Sequence, residues 1–199
     1  TIAELDWVAS LFPAARDYLD VYDRFGLLGP RSVFGHCIHL SPREKARLAE
    51  TGAAIAHCPT SNAYLGSGAC DVASLRASGI TVGLGTDTGG GSSFSPFATM
   101  RAAYEAGQAH GHALTPAQLW WLASAGSAHA LHLSDRIGNL APGLEADAVI
   151  VDTEATPLLA ERTGRAETPD DLLFALTVLG DDRAIRETWS GGVCLHSKA

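Results

Sequence analysis

Three polar side chains stand at the ends of three short apolar runs: His36, His57 and Asp87. Imidazole nitrogens and carboxylate oxygens are good zinc ligands. A carboxylate beside a polarised water can also take its proton. If the three runs are neighbouring parallel strands, their carboxyl ends meet at one edge, where α/β proteins place their chemistry. The pattern therefore predicts a metal-dependent hydrolytic site.

Asp87 is the most informative of the three because Gly89, Gly90 and Gly91 follow it. Glycine lets the backbone approach a ligand closely or adopt a positive φ. A carboxylate in this position suits a metal ligand or a general base. It equally suits a turn residue that caps the glycine run, and spacing alone leaves both interpretations open.

The other polar candidates fit a site less well. A catalytic zinc site takes about three protein ligands, and no predicted strand carries an HxH pair. His39 is expected to point away from the strand that ends at His36, and Asn62 either binds a substrate or holds its own loop. Four further histidines are interpreted as structural or solvent-facing: His110, His112, His129 and His132.

The elements that must position these residues follow from hydrophobic periodicity. Strands are predicted at 32–37, 53–58 and 80–86, and helices at 41–52 and 72–78. Ser41, Pro42 and Glu44 form a strong helix start, with a capping serine and a proline at the first helical position. Strands that alternate with helices and are apolar on both faces indicate a parallel sheet.

The flanking regions supply the remaining elements. Helices are predicted at 2–12, 18–25, 96–109, 115–131 and 169–178, a strand at 148–151, and a strand pair at 185–195 that turns at Gly191-Gly192. The change in texture places a boundary near residue 137, which divides the chain into segments 1–137 and 138–199.

Composition excludes some classes of partner. The chain has 199 residues and a net charge of −8, which argues against binding a nucleic-acid backbone. No apolar run is long enough to span a bilayer. The four cysteines form no CxxC pair and are expected to be reduced thiols of a cytoplasmic protein. The sequence starts with Thr1 and its only methionine is Met100, so we expect a preceding segment.

Three motifs together carry a resemblance: FGHCIHLS at 34–41, AHCPTSN at 56–62 and GLGTDTGGG at 83–91. They resemble the amidohydrolase superfamily, and within it most closely the guanine deaminase family. The resemblance covers nearly the whole chain and implies the C-terminal part of a TIM-like (β/α)8 metal-dependent hydrolase barrel. Segment 138–199 would add a helix and strands of a small composite β-sandwich.

The resemblance also implies roles for two residues. Asp87 would be a ligand of one catalytic Zn²⁺ and would shuttle the proton of the attacking water. His36 would face that water and the purine, and would stabilise the tetrahedral intermediate, so both residues would contact the substrate. His57 matches a supporting position only. The implied reaction is hydrolytic deamination of guanine to xanthine and ammonia in purine catabolism, by a cytoplasmic homodimer without nucleic-acid or membrane partners.

The family's other site residues are not in this sequence. They are an HxH pair, a further zinc histidine with a nearby glutamate, and substrate-contacting arginine and phenylalanine residues, all expected before residue 1. Glu4 and Asp6 lie within the first predicted helix and are not that glutamate. Two alternatives stay open: a related deaminase or chlorohydrolase acting on another purine or a triazine, and a half-barrel without catalysis.

Overall fold

A three-stranded parallel sheet carries the region that contains the motifs. The computed structural model describes residues 1–198 and places β1 (Val33–Gly35), β2 (Ala54–His57) and β3 (Thr81–Leu84) side by side in chain order. Pairing across the sheet joins Gly35 to Ala56 and Ala56 to Gly83. The carboxyl ends of the three strands therefore lie level, as the sequence predicts.

Short helices connect these strands and precede them. The helices of this part are α1 (Ile2–Leu11), α2 (Tyr18–Arg24), α3 (Pro42–Thr51), α4 (Pro59–Tyr64) and α5 (Val72–Ala77). The predicted start of α3 is confirmed: the Ser41 hydroxyl accepts from the Glu44 N–H, and the Glu44 carboxylate accepts from the Ser41 N–H. Helix α4 was not predicted. The sequence analysis placed only the end of a strand, at residue 58, in this region.

The predicted single helix at 115–131 is wrong. After α6 (Pro96–Ala109) the chain forms α7 (Pro116–Ala123) and α8 (Ala125–Ala130), with a break at Ser124, whose φ is −127° and ψ −97°. The break turns α8 toward β3, where the Ser127 hydroxyl accepts from the Leu84 N–H at 3.1 Å. This tertiary contact overrides a helical pattern that is continuous in the sequence.

The later part of the chain forms an antiparallel sheet and two helices. Its strands are β4 (Ala148–Val151), β5 (Ile185–Ser190) and β6 (Val193–Ser197), in that order across the sheet. Its helices are α9 (Pro157–Thr163), which was not predicted, and α10 (Pro169–Leu179). Helix α10 returns to the helices of the first part, since the Trp120 indole N–H donates to the Leu173 carbonyl and the Thr177 hydroxyl.

One continuous apolar core holds the parallel sheet against its helices. Its completely buried members include Leu48 of α3, Ile55 of β2 and Leu119 and Leu122 of α7. Because Ile55 lies on the middle strand, this core fixes the height of the strand ends. The three motifs at 34–41, 56–62 and 83–91 lie at these ends. None of the helices in residues 1–198 is long and apolar enough to cross a bilayer.

Replacing Leu119 with alanine is expected to lower the free energy of unfolding by roughly 2–5 kcal/mol, because it removes a buried side chain and leaves a cavity. Leu158 on α9 is the matched control, since 64% of it is exposed. Leu158→Ala should change stability by no more than about 0.5 kcal/mol. Urea denaturation of both variants in the same background measures the difference, and equal midpoints would contradict the described core.

Candidate active site

The parallel sheet brings three potential metal-binding side chains together at the carboxyl ends of its strands. The ligand atoms of His36, Cys58 and Asp87 all lie within 4.8 Å of one another. His36 Nε2 is 3.7 Å from Asp87 Oδ2. The backbone N–H of His36 donates to the Ala56 carbonyl at 3.0 Å, which extends the β1–β2 ladder to the site and fixes the height of the imidazole.

The backbone is strained at this site. His36, Cys37 and Asp87 have φ values of 66°, 49° and 49°, and residues 1–198 contain only one other non-glycine residue with a positive φ, His132. Left-handed conformations of L-residues cost roughly 1–2 kcal/mol each. Such strain concentrates at functional sites, where the surrounding structure holds it in place.

The loop after Asp87 explains why glycines follow it. The N–H groups of Gly90 and Gly91 donate to the Asp87 carbonyl. A Cβ on Gly90 would lie 2.9 Å from Ser61 Oγ and 3.2 Å from Asp87 Oδ2. The two interpretations of Asp87 are therefore compatible, because its carbonyl closes the turn while its carboxylate faces His36.

Asn62 holds the other side of the His36 ring. Its Oδ1 is 2.8 Å from His36 Nδ1, and only 2% of Asn62 is exposed. Helix α4 puts Asn62 there, since it begins with Pro59 directly after Cys58. This contact adds a third interpretation of Asn62 to the two that the sequence left open. In it, the amide orients a candidate catalytic side chain.

His57 does not join this cluster. It is completely buried, and its ring nitrogens have no hydrogen-bond partner among residues 1–198. Burial lowers the pKa of His57 to about 4, so the ring is neutral at neutral pH. Cys58, which lies between β2 and α4, occupies the corner that the sequence pattern gave to His57.

Cys58 was not among the predicted site residues, because the four cysteines were interpreted only as reduced thiols. Its Sγ nevertheless belongs to the three-atom cluster, and burial raises the pKa of this thiol. The sequence carries no clear signal for it, because Cys58 lies beyond the end of β2, at the residue that precedes α4.

The remaining histidines bind other parts of the chain. His39 Nε2 contacts the Ser67 carbonyl at 3.0 Å, His110 Nε2 the Ala69 carbonyl at 3.0 Å, and His112 Nδ1 the Asp71 carboxylate at 3.1 Å; His129 Nδ1 lies 3.5 Å from the Ser134 hydroxyl. None of them belongs to the cluster at the strand ends. The contacts of His110, His112 and His129 agree with their interpretation as structural or solvent-facing residues.

A cleft of about 720 Å³ adjoins His36. Its lining includes Glu4, Tyr18, Tyr22, Phe34, His39 and Leu65. Glu4 accepts from the Tyr18 hydroxyl at 2.8 Å, and this hydrogen bond lowers the pKa of the Glu4 carboxyl. The cleft is mixed in character, with aromatic side chains and a few polar groups beside the candidate site, as is typical of small-molecule sites.

Comparisons with known proteins identify the family and agree with the fold. Residues 1–195 match the model of the Amidohydrolase family, and the chain belongs to this family. Guanine deaminase of Escherichia coli strain K12 is 43% identical over 195 residues, which make up 98% of this chain.

Two solved structures extend this comparison. The structure of E. coli guanine deaminase covers 99% of this chain at 42% identity with a TM-score of 0.97. An adenosine deaminase from Xanthomonas campestris, described with bound zinc, covers 99% at 27% identity with a TM-score of 0.85. The chain spans only 44% of the E. coli sequence relative and 46% of the E. coli structure.

Proposed function

We propose that this chain is part of a zinc-dependent enzyme that hydrolyses guanine to xanthine and ammonia, in a whole protein of the length of its relatives. The observation that carries the proposal is the juxtaposition of His36 and Asp87 at the strand ends, 3.7 Å apart at their closest side-chain atoms. The 43% identity to a guanine deaminase over nearly the whole chain supports the choice of substrate.

The donor chemistry of the site fits zinc. An imidazole nitrogen, a thiol sulfur and a carboxylate oxygen converge there, and all three are typical zinc ligands. In the proposal Asp87 binds the metal through its carboxylate, and ligands outside this chain complete the set. When bound, zinc would lower the pKa of a coordinated water toward about 7.

Asp87 would act as the proton carrier of the reaction. In the proposal a carboxylate oxygen takes one proton from the attacking water as the water oxygen bonds to C2 of guanine and the π pair of the C2=N3 bond moves onto N3. The carboxylate then delivers that proton to the exocyclic amino nitrogen; the C2–N bond breaks, ammonia leaves, and the pair on N3 re-forms the C2=N3 bond, which gives the 2-hydroxy tautomer of xanthine. The Asp87 side chain is 41% exposed, so its carboxylate is accessible from outside the chain.

His36 would bind and orient the reacting groups. Its Nδ1 is occupied by Asn62 at 2.8 Å, so Nε2 is the atom available to the substrate side. A hydrogen bond that Nε2 accepts from the hydroxyl group of the developing tetrahedral centre would stabilise the transition state more than the ground state. The left-handed backbone of His36 keeps the ring at the strand end and not along the strand.

The test is a substrate panel on the purified, zinc-loaded whole protein. We expect release of ammonia and formation of xanthine from guanine, loss of activity on zinc removal, and recovery when zinc is added back. 8-Oxoguanine, an adenosine derivative and a chlorinated triazine are the comparison substrates. A higher kcat/KM for any of these than for guanine would overturn the proposed substrate and assign the chain to that related reaction.

The proposal includes the setting of the enzyme. We place it in purine catabolism in the cytoplasm, supported by the four free cysteines, and propose that the whole protein is a homodimer without nucleic-acid or membrane partners. We also propose that segment 1–137 completes a barrel, whereas segment 138–199 contributes to a second, smaller unit. Sedimentation of the whole protein measures its oligomeric state.

A further inference from the structure

We infer that Asn62 is a positioning residue that fixes the tautomer of His36, with the proton on Nδ1 and the lone pair on Nε2. The inference deepens the proposed function and rests on it for its kinetic consequence only. It begins from a single contact, the 2.8 Å distance between Asn62 Oδ1 and His36 Nδ1. An amide oxygen only accepts hydrogen bonds, so the imidazole nitrogen opposite it must carry the proton.

The backbone that carries this amide is held in place. The Asn62 N–H donates to the Cys58 carbonyl at 2.9 Å, and the Asn62 carbonyl accepts from the Ser67 N–H at 2.8 Å. Two residues before it, the Thr60 hydroxyl donates to the Thr86 carbonyl at 3.3 Å, which ties α4 to the end of β3. Asn62 therefore lies on a helix that is tied to the segments directly after β2 and β3.

The far side of the His36 ring does not compete for the proton. Nε2 is 3.7 Å from Asp87 Oδ2, which is beyond hydrogen-bond distance for this pair of atoms. The hydrogen bond at one ring nitrogen commonly sets which nitrogen is protonated, and such partners orient functional imidazoles. Here it leaves a free lone pair on the side that faces Asp87.

Asn62 also carries a feature that a purely structural residue would avoid. Its amide nitrogen Nδ2 is buried and has no hydrogen-bond partner among residues 1–198. A buried unpaired donor costs free energy, so an apolar side chain of the same size should be tolerated here. Leucine has a similar size and no unpaired polar atom, and it should fit this position without lowering the unfolding temperature.

The direct test is the ¹⁵N NMR spectrum of the histidine side chains in the zinc-loaded whole protein. Nitrogen shifts distinguish the Nδ1–H from the Nε2–H tautomer, and a His36→Gln variant assigns the signals. We expect the Nδ1–H form in the parent protein and a mixture of tautomers in Asn62→Leu. Asn62→Asp keeps an oxygen acceptor and should restore the Nδ1–H form.

Ser61→Ala is the matched control, because Ser61 lies on the same helix, is completely buried and has an unpaired hydroxyl. It should leave the His36 tautomer as it is in the parent. An Nε2–H form in the parent would show that Nδ2 and not Oδ1 faces the ring, and would overturn the inference. An unchanged spectrum in Asn62→Leu would overturn it as well.

Kinetic measurements distinguish a positioning role of Asn62 from a role in folding. Second-sphere partners of this kind affect activity by about 10–100-fold, so Asn62→Leu should lower kcat by that factor while KM and the unfolding temperature stay close to the parent values. Asn62→Asp should recover part of kcat. The NMR result does not depend on the substrate. Absence of guanine turnover in the parent protein would contradict the proposed function, whereas an Nε2–H tautomer of His36 would contradict this inference.

Discussion

Asp87→Asn in the whole protein is expected to lower kcat for guanine by roughly 10²–10⁴-fold, the usual size of a lost acid–base contribution. Asparagine keeps the shape of the side chain, so the loop that depends on the Asp87 carbonyl should persist. It removes the negative charge and the proton-accepting oxygen, and these are the properties that metal binding and proton transfer need. Ammonia release under saturating guanine measures the change.

A second readout tells metal loss from proton-transfer loss. Asp87→Ala removes the ligand, so its zinc content by mass spectrometry should fall, and Asp87→Asn should retain more metal than Asp87→Ala. Asp135 supplies the matched control, since it is exposed and remote in sequence from the strand ends. Asp135→Asn should behave as the parent, and unchanged guanine turnover in both Asp87 variants would exclude the proposed mechanism.

The sequence predicts the positioning framework of this site well because the framework depends on local signals. The strands that end near His36 and Asp87 are short, apolar on both faces and separated by capped helices. Each of these features is encoded within a few residues, as in the reciprocal hydrogen bonds of Ser41 and Glu44. The hairpin turn at Gly191-Gly192 is confirmed for the same reason, since both glycines have positive φ.

The details that decide the chemistry depend on contacts distant in sequence. The sequence does not show whether His57 or Cys58 reaches the cluster at the strand ends. This depends on the path of the chain where β2 ends and α4 begins. The contact between Asn62 and His36 joins positions 26 residues apart, and no periodicity reports it. The sequence does not show the left-handed backbone conformation of Asp87 either. An aspartate in an ordinary turn and an aspartate held by a glycine loop have the same sequence signature.

The break at Ser124 shows the same limit within the helical layer. Residues 115–131 were predicted as one helix, and the Thr115 cap is confirmed. Helix α8 nevertheless turns so that Ser127 can bond to β3, and a Cβ on Gly83 would lie 2.9 Å from Ser127 Cα. The close packing of a strand glycine against α8 decides the path of the chain, and neither segment alone encodes it.

The same fold leaves surfaces that should make the 199-residue chain self-associate when it is expressed by itself. Within residues 1–198, β1 and β3 are edges of the parallel sheet, and unprotected edges can pair with another chain. Val33 on β1 is 40% exposed, and Val193 and Leu195 on β6 are 60% and 69% exposed. Large apolar side chains on open strands favour association.

We therefore expect this chain alone to be inactive on guanine and to elute above the monomer size in gel filtration with light scattering. Val33→Lys places a charge on the edge of β1 and should reduce association, because lysine protects natural edge strands. Leu158→Lys is the control: it adds the same charge at a residue that is 64% exposed on α9, away from any strand edge, and should have little effect. An active monomer of these residues would contradict the prediction, since Asp87 supplies only part of the ligand set that a catalytic zinc requires.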